Sequence, residues 1–444
     1  MKKVVLSAVF TAIIAVAANA QWQTVGTPGF SAGAVSNTSL AIDSNNVPYV
    51  AYQDWVNFER ATVMKFDGTN WVTVGTVGFS AGTILNPSLA FSSSNEPYVA
   101  YRDDANSDKA TVMKFDGTNW ITVGTAGFSA GDVNNISLAF SNSNEPYVVY
   151  QDVSNSYKAT VKKFDGTNWV TVGSAGFSDG HVSFTSLAFS NSNEPYVVYR
   201  DVINSYKATV MKFDGTNWVT VGMTGFSVGE IFYSSIAFNT SNEPYVAYQD
   251  RANSYKATVM KFDGSNWVTV GVPGLSAGRA DYPSLAFSNS NEPYVAYMDS
   301  ANSYKATVMK FDGTNWVPVG TAGFSAGYVA YTSLAFSSNN EPYVAFSDSV
   351  NSYKATVMKF DGTTGISDLY TANNAIGVYP NPAKTQIIFS VFTNVQLTNI
   401  TGQIIEEKKN VNSLDISNQP KGIYFLTFTD NKGKVVQMSK IVKE

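Results

Sequence analysis

The chain contains no cysteine and one histidine, and charged residues make up only 14% of its 444 residues, against roughly 25% in ordinary globular proteins. Without cysteine there is no disulfide framework, no thiolate nucleophile and no cysteine-ligated metal. A single histidine excludes histidine-rich metal sites, so we expect no metal and no cofactor. The formal net charge of −5 argues against nucleic-acid binding, because neutralising phosphates requires a basic face.

The first 20 residues have the pattern of a secretory signal peptide. Two lysines precede an apolar run over residues 4–18, which ends in Ala-Asn-Ala. This order predicts a signal peptide over residues 1–20, cleaved between Ala20 and Gln21. The run is shorter than the ~20 residues that a membrane-spanning helix needs, and no later segment could span a membrane as a helix.

Charge divides the remaining chain into two parts. Residues 21–375 hold 19 basic and 29 acidic residues, whereas residues 376–444 hold eight lysines and five acidic residues. This asymmetry predicts a domain boundary, with a linker over residues 363–375 and a separate C-terminal domain over residues 376–444.

A repeat of 49 residues fills the region before the linker. It is marked by seven tryptophans with no insertion or deletion between them: Trp22, Trp71, Trp120, Trp169, Trp218, Trp267 and Trp316. Each unit has four short strand-like runs separated by Asp, Asn, Gly, Ser and Pro. The period is too long for ankyrin, tetratricopeptide or leucine-rich repeats and fits a four-stranded propeller blade.

The two ends of the repeat region complement each other. The chain after residue 20 opens with a lone fourth strand at Trp22–Val25, and the last unit stops after its third strand. Pairing these two strands removes both exposed sheet edges. The sequence therefore predicts an all-β fold, a seven-bladed β-propeller over residues 21–362 that is closed by its N-terminal strand.

Differences between the repeats concentrate in two connections, the one before each first strand and the one between the second and third strands. Alternating strand direction places both on one rim of the propeller, the variable rim. Variable loops on a rigid scaffold often build binding sites, but neutral drift at tolerant positions explains them equally well. Each second strand also ends in an aspartate; these carboxylates either bind cations or sugar hydroxyls, or cap their own loops, and capping is favoured.

Aromatic residues on the variable rim suggest a ligand-binding surface. The candidates are Trp55, Arg102, Arg200 and a tyrosine at one loop position of five blades: Tyr157, Tyr206, Tyr255, Tyr304 and Tyr353. Exposed aromatic rings beside polar side chains suit sugar stacking or a protein surface. Packing of these tyrosines over the blade edges is the alternative.

These patterns favour a secreted binding module for a carbohydrate or protein ligand, without enzymatic activity. A glycan-active hydrolase or lyase is one alternative, and it needs carboxylates that break the sevenfold pattern. The acidic residues of this kind are spread over four blades: Asp132, Asp179, Glu230 and Asp281. A purely structural surface protein is the other alternative, and the single histidine, His181, is expected to have no catalytic role.

The C-terminal residues carry several separated motifs in a fixed order: Tyr379-Pro380-Asn381-Pro382, then Gly422 and Tyr424, then a final strand with Lys440 and Lys443. This order closely resembles the type A C-terminal sorting domain of type IX secretion cargo. The resemblance implies a small immunoglobulin-like β-sandwich and the type IX translocon as partner. It also implies a protein that is released outside the cell or attached to the outer cell surface.

Overall fold

The computed structural model describes residues 21–361, 376–430 and 435–444. The predicted signal peptide, including Ala20, and the predicted linker lie outside these residues. The described residues fall into two compact units, Gln21–Asp361 and the C-terminal residues from 376 onward.

The first unit consists of seven four-stranded antiparallel sheets, the blades, and in six of them the strands follow one another in space as in sequence. The first strands are Val35–Ile42, Ile84–Phe91, Val133–Phe140, Val182–Phe189, Ile231–Phe238, Ala280–Phe287 and Val329–Phe336. The second strands are Pro48–Asp54, Pro97–Asp103, Pro146–Asp152, Pro195–Asp201, Pro244–Asp250, Pro293–Asp299 and Pro342–Asp348. The third strands are Arg60–Phe66, Lys109–Phe115, Lys158–Phe164, Lys207–Phe213, Lys256–Phe262, Lys305–Phe311 and Lys354–Asp361.

The fourth strands are short, since each is three or four residues long. They are Trp71–Thr73, Trp120–Thr122, Trp169–Thr171, Trp218–Thr220, Trp267–Thr269, Trp316–Pro318 and, for the seventh blade, Gln21–Thr24. Short 3-10 helices follow the second strand in six blades: Trp55–Asn57, Asp104–Asn106, Val153–Asn155, Arg251–Asn253, Ser300–Asn302 and Ser349–Asn351.

The seventh blade is completed by the N-terminal strand. Gln21 lies opposite Asp361 and Trp22 lies opposite Phe360 in an antiparallel ladder, and the Val25 amide donates to the Val357 carbonyl at 2.9 Å. The predicted closure by the N-terminal strand is confirmed. Pairing of the two strands covers the sheet edge that each would otherwise expose.

The repeated tryptophans join neighbouring blades. Each indole Nε1 donates to the carbonyl of a valine in the preceding blade, at 2.7–2.8 Å. Six of the seven rings also stack on a phenylalanine of that blade, at 4.0–4.3 Å between centroids. The seventh ring, Trp316, packs with Leu275 instead. A buried indole that packs and donates at once explains why this position is the same in every blade.

The Asp-Gly turn between the third and fourth strands is built by local hydrogen bonds. In blade 1, the Asp67 carboxylate accepts from the amides of Thr69 and Asn70 at 2.8 and 2.7 Å. Gly68 has φ of +100°, a backbone conformation that favours glycine. The sequence Asp-Gly-Thr-Asn therefore forms the turn through local hydrogen bonds, which require no contact with another blade.

The C-terminal unit is one curved antiparallel sheet. Its strands are Val378–Tyr379, Gln386–Asn399, Ile404–Asp415, Gly422–Thr429 and Val435–Lys443. The long second strand pairs with three others and contains several bulges, which bend the sheet. Its strands bury an apolar core that includes Leu397, Leu426 and Phe428. A small all-β domain at the C-terminal end is confirmed; its five strands form one sheet, a half-barrel, where the resemblance implied a two-layered immunoglobulin-like sandwich.

Within the described residues, no helix is long and apolar enough to cross a membrane.

Candidate functional site

The variable rim is defined by the register of the first two strands. Val35 at the start of the first strand lies opposite Asp54 at the end of the second, and the other six blades repeat this pairing. The loops that enter the first strand and leave the second therefore meet at one edge of the blade. The more uniform loops lie at the opposite edge.

One cross-strand pair at the variable rim differs in every blade. Its members are Ser36 and Gln53, Leu85 and Arg102, Asn134 and Gln151, Ser183 and Arg200, Phe232 and Gln249, Asp281 and Met298, and Ala330 and Ser347. In four blades the second-strand member crosses to the next blade; Gln249, for example, donates to the Ala280 carbonyl at 2.8 Å. In these four blades the second-strand side chain therefore fills the space between two neighbouring blades, which we call the slot.

Blade 7 leaves its slot unfilled because both members of its pair, Ala330 and Ser347, are small. A cavity of 320 Å³, which we call the seam pocket, lies there between blades 7 and 1. Its aromatic lining consists of Trp55, Tyr282, Tyr328, Tyr331 and Tyr353. Its volume is at the lower end of the range of small-ligand pockets, about 300–1,000 Å³.

The polar groups of the seam pocket are uncharged, and some of them have no hydrogen-bond partner among residues 21–361. Trp55 donates from Nε1 to Ser36 Oγ at 2.6 Å, and Ser347 Oγ donates to the Tyr353 carbonyl at 3.0 Å. Tyr328 and Tyr353 are 38% and 51% exposed. Their hydroxyls have no hydrogen-bond partner among residues 21–361. Burial raises the pKa of Tyr328, and the nearby Tyr353 adds to the shift, so the phenol stays protonated at neutral pH.

Of the eight ligand-binding candidates, the structure brings Trp55 and Tyr353 together in the seam pocket. Tyr304 lies next to it, with its ring 5.9 Å from that of Tyr328. Tyr157 packs at 4.8 Å on His181, and Tyr255 packs at 6.0 Å from Phe232; these rings cover the edges of other blades.

The two arginine candidates are engaged separately. Arg102 forms a bidentate ion pair with Asp108, at 2.9 and 3.0 Å. Arg200 pairs with Glu230 and lies over the ring of Tyr206, 4.3 Å from its centroid. Each guanidinium is therefore occupied by its own carboxylate, and the two do not converge on one ligand.

The repeated aspartates of the second strands hold their own loops in place. In blade 4, Asp201 Oδ2 accepts from Asn204 Nδ2 and from Thr209 Oγ1, both at 2.8 Å. The Thr209 hydroxyl in turn accepts from the Gly225 amide at 2.9 Å. All seven blades repeat the two contacts to the aspartate, so these carboxylates act as caps.

The irregular carboxylates are also bound by neighbours. Glu230 pairs with Arg200 and Arg251; burial alone would raise its pKa, but hydrogen bonds from the two guanidinium groups lower it. Asp281 pairs with Arg279 at 2.8 Å. Among the described residues, no three His, Asp or Glu side chains are close enough together to hold a metal ion.

Sequence reasoning did not recognise the seven residues at the β-bulge of each first strand as one set. They line two adjoining cavities of 330 and 250 Å³ where the first strands meet, a region that we call the channel mouth. They are Asn37, Asn86, Asn135, Phe184, Tyr233, Tyr282 and Tyr331. The signal was present in the repeat, because this position is asparagine in blades 1–3 and aromatic in blades 4–7.

The C-terminal motifs hold the last strand of the half-barrel. Asn381 donates from Nδ2 to the Lys440 carbonyl and accepts at Oδ1 from the Val442 amide, both at 2.9 Å. Tyr424 is buried and donates from its hydroxyl to the Pro420 carbonyl at 2.7 Å. Gly422 pairs with Lys443 in the same ladder. Tyr379, Pro380 and Pro382 are exposed, as is Lys440.

Comparison with known proteins assigns the C-terminal unit. Residues 377–444 match the family model described as the secretion system C-terminal sorting domain. No curated protein matches the chain.

Three solved structures share the fold at low sequence identity. PorZ, a surface component of the type IX secretion system of Porphyromonas gingivalis, is 12% identical with a TM-score of 0.50, over 94% of this chain and 60% of PorZ. The extracellular domain of the putative hybrid two-component system BT4673 of B. thetaiotaomicron is 10% identical with a TM-score of 0.52, over 94% of this chain and 54% of that one. A polysaccharide lyase, the ulvan lyase of family PL25, is 11% identical with a TM-score of 0.50, over 76% of this chain and 95% of the lyase.

The fold and the matched domain define the class of protein. The chain is a seven-bladed β-propeller that carries a secretion sorting domain at its C-terminal end. The match of residues 377–444 to the secretion system C-terminal sorting domain implies export by the type IX route to the outer surface or the extracellular space.

Proposed function

We propose that the propeller is a carbohydrate-binding module whose site is the seam pocket. The observation that carries this proposal is the small pair Ala330 and Ser347, which leaves an aromatic-lined cavity of 320 Å³ at a position where the corresponding side chain of four other blades crosses to the next blade. Sugar rings present apolar C–H faces to aromatic rings and hydroxyls to polar groups. The exposed faces of Trp55 and Tyr353 and the unpaired hydroxyls of Tyr328 and Tyr353 supply both kinds of contact.

We further propose that the module binds without cleaving its ligand. A glycosidase needs two carboxyl groups that flank one bond, one of them with a raised pKa. Glu230 and Asp281 are instead paired with arginines, and no carboxylate lines the seam pocket. Incubation of bound oligosaccharides with the protein, followed by mass spectrometry, should return them at unchanged length; shortened products would favour the glycan-active alternative.

The test is glycan-array binding of the full chain and of three variants, one of which is a control. Tyr353→Ala should weaken retention about tenfold, corresponding to ~1.4 kcal/mol of lost contact energy. Tyr157→Ala is the matched control, because Tyr157 occupies the same loop position of blade 3 with the same φ of +60°. Ser347→Gln should abolish binding by filling the slot as in other blades.

Equal loss of binding in Tyr157→Ala and Tyr353→Ala would contradict the seam pocket as the site. Retention of a protein ligand but of no glycan would favour a protein-binding module instead.

A further inference from the structure

The seam pocket and the channel mouth share part of their walls. Tyr331 lines the seam pocket and the 250 Å³ cavity of the channel mouth. Tyr282 lines the seam pocket and both cavities of the channel mouth. The two regions are therefore neighbouring parts of one surface that runs from the seam between blades 7 and 1 to the centre of the propeller.

An arc of aromatic rings covers half of the channel mouth. Phe184 and Tyr233 lie 5.0 Å apart between centroids, Tyr233 and Tyr282 lie 4.7 Å apart, and Tyr282 and Tyr331 lie 5.0 Å apart. These four residues have φ of 49–56°, a region that is unfavourable for bulky side chains. Asn37, Asn86 and Asn135 have the same φ of 49–52° at this bulge, so the backbone conformation belongs to the repeat and the aromatic side chains distinguish blades 4–7.

The rest of the channel mouth is lined by neutral polar groups. One serine of each first strand accepts a backbone amide of the next blade at 3.0–3.3 Å: Ser39, Ser88, Ser137, Ser186, Ser235, Ser284 and Ser333. The hydroxyl protons of these serines have no acceptor among residues 21–361. The side chain of Asn86 has no hydrogen-bond partner there either. Asn37 and Asn135, by contrast, bond to Gln53 and to the Phe184 amide.

None of the residues that line the seam pocket or the channel mouth is charged. An anionic ligand that left water for these cavities would lack a cationic partner, which is costly. Residues 21–375 also carry an excess of acidic over basic residues, so the field of the propeller disfavours anions.

We infer that the ligand is a neutral oligosaccharide that extends from the seam pocket, over Tyr331 and Tyr282, into the channel mouth. This inference rests on the proposed function and adds the charge and the length of the ligand. One unit stacks in the seam pocket, and the following units lie along the aromatic arc, where Asn86 and the serine hydroxyls supply hydrogen bonds to sugar hydroxyls. Each cavity alone is small for a drug-sized ligand, so the binding energy should build up with chain length.

The test is calorimetric titration of the full chain with neutral gluco- and manno-oligosaccharides of one to six units, and with oligogalacturonates of the same lengths. Affinity should rise at least tenfold from one to four units in a neutral series and then level off, while the anionic series binds at least tenfold more weakly. Asn86→Gly, which suits a φ of +51°, should reduce the gain in affinity with length.

Asn86→Asp also accepts this backbone conformation and serves as a second variant should Asn86→Gly fail to fold; it keeps the acceptor oxygens but loses both N–H donors, so it should also reduce the gain with length, though less than Asn86→Gly. Tyr353→Ala should lower affinity at every length. Binding without length dependence, a length dependence unaffected by both Asn86 variants, or preference for the anionic series would overturn the inference while leaving the seam pocket as a sugar site. Failure of every oligosaccharide to bind would overturn the proposed function with it.

Discussion

Replacing Trp22 with alanine tests whether the N-terminal strand holds the ring closed. The indole is 6% exposed, stacks on Phe324 at 4.2 Å and donates to the Val319 carbonyl at 2.8 Å. Removing a large buried aromatic side chain costs about 3–5 kcal/mol. With an unfolding entropy of about 2.1 cal/mol/K per residue, a unit the length of this propeller should lose about 4–7 °C in melting temperature.

The assay is thermal unfolding of the full chain followed by circular dichroism, with Gln23→Ala as the matched control. Gln23 lies in the same strand but is exposed, so its loss should change the melting temperature by less than 1 °C, as surface substitutions do. Hydrogen exchange at the Val25 amide, which pairs with Val357, should quicken in the tryptophan variant alone. Equal melting temperatures for the two variants would refute closure by this strand.

Two more predictions concern the turns and the C-terminal unit. Backbone amides lower the pKa of the aspartates in the Asp-Gly turns: Asp67, Asp116, Asp165, Asp214, Asp263 and Asp312. A lowered folded-state pKa gives stability that is present above the unfolded value of about 4 and is lost as pH falls through the folded value. Asp→Asn at all six positions should therefore flatten the fall of melting temperature between pH 5 and pH 2, and an equally steep fall would contradict this. In the half-barrel, Asn381→Ala removes both hydrogen bonds to the last strand, so it should destabilise the unit by about 1–2 kcal/mol and quicken hydrogen exchange at the Val442 amide. The control is Asn418→Ala, since Asn418 is exposed, and it should leave this exchange unchanged. Unchanged exchange in Asn381→Ala would contradict the role of Asn381 in holding the last strand.

The architecture was predictable because its determinants are local and repeated seven times. The Asp-Gly turn makes its hydrogen bonds within four residues, as at Asp67 and Asn70. The constant spacing of the tryptophans requires every blade to have the same number of residues. The closure also followed from counting strands. The half-barrel shape of the C-terminal unit was less accessible, because it depends on bulges in Gln386–Asn399 that no residue type marks.

The candidate site was predictable only in part. Exposed aromatic residues on loops indicated Trp55 and Tyr353, but sequence alone does not show which slot is open. That depends on the cross-strand partner of Ser347, which is Ala330, and on the reach of the corresponding side chains in other blades. Arg200 looked available in the sequence and is occupied in the fold, because Glu230 faces it from the next blade.

The location of the seam pocket would couple the proposed ligand binding to ring closure. Trp55 belongs to blade 1 and Tyr353 to blade 7, so the two rings are brought together only when the propeller is closed. A ligand that binds the closed ring and not an opened one stabilises the closed form by an amount that grows with its concentration. The seam between the first and last blades is held by Trp71, which donates to the Val25 carbonyl, directly after the closing strand. The exceptions to the sevenfold pattern therefore lie beside blade 7, the blade whose third and fourth strands are joined by non-covalent pairing and not by a turn, and a ligand bound there would stabilise that closure.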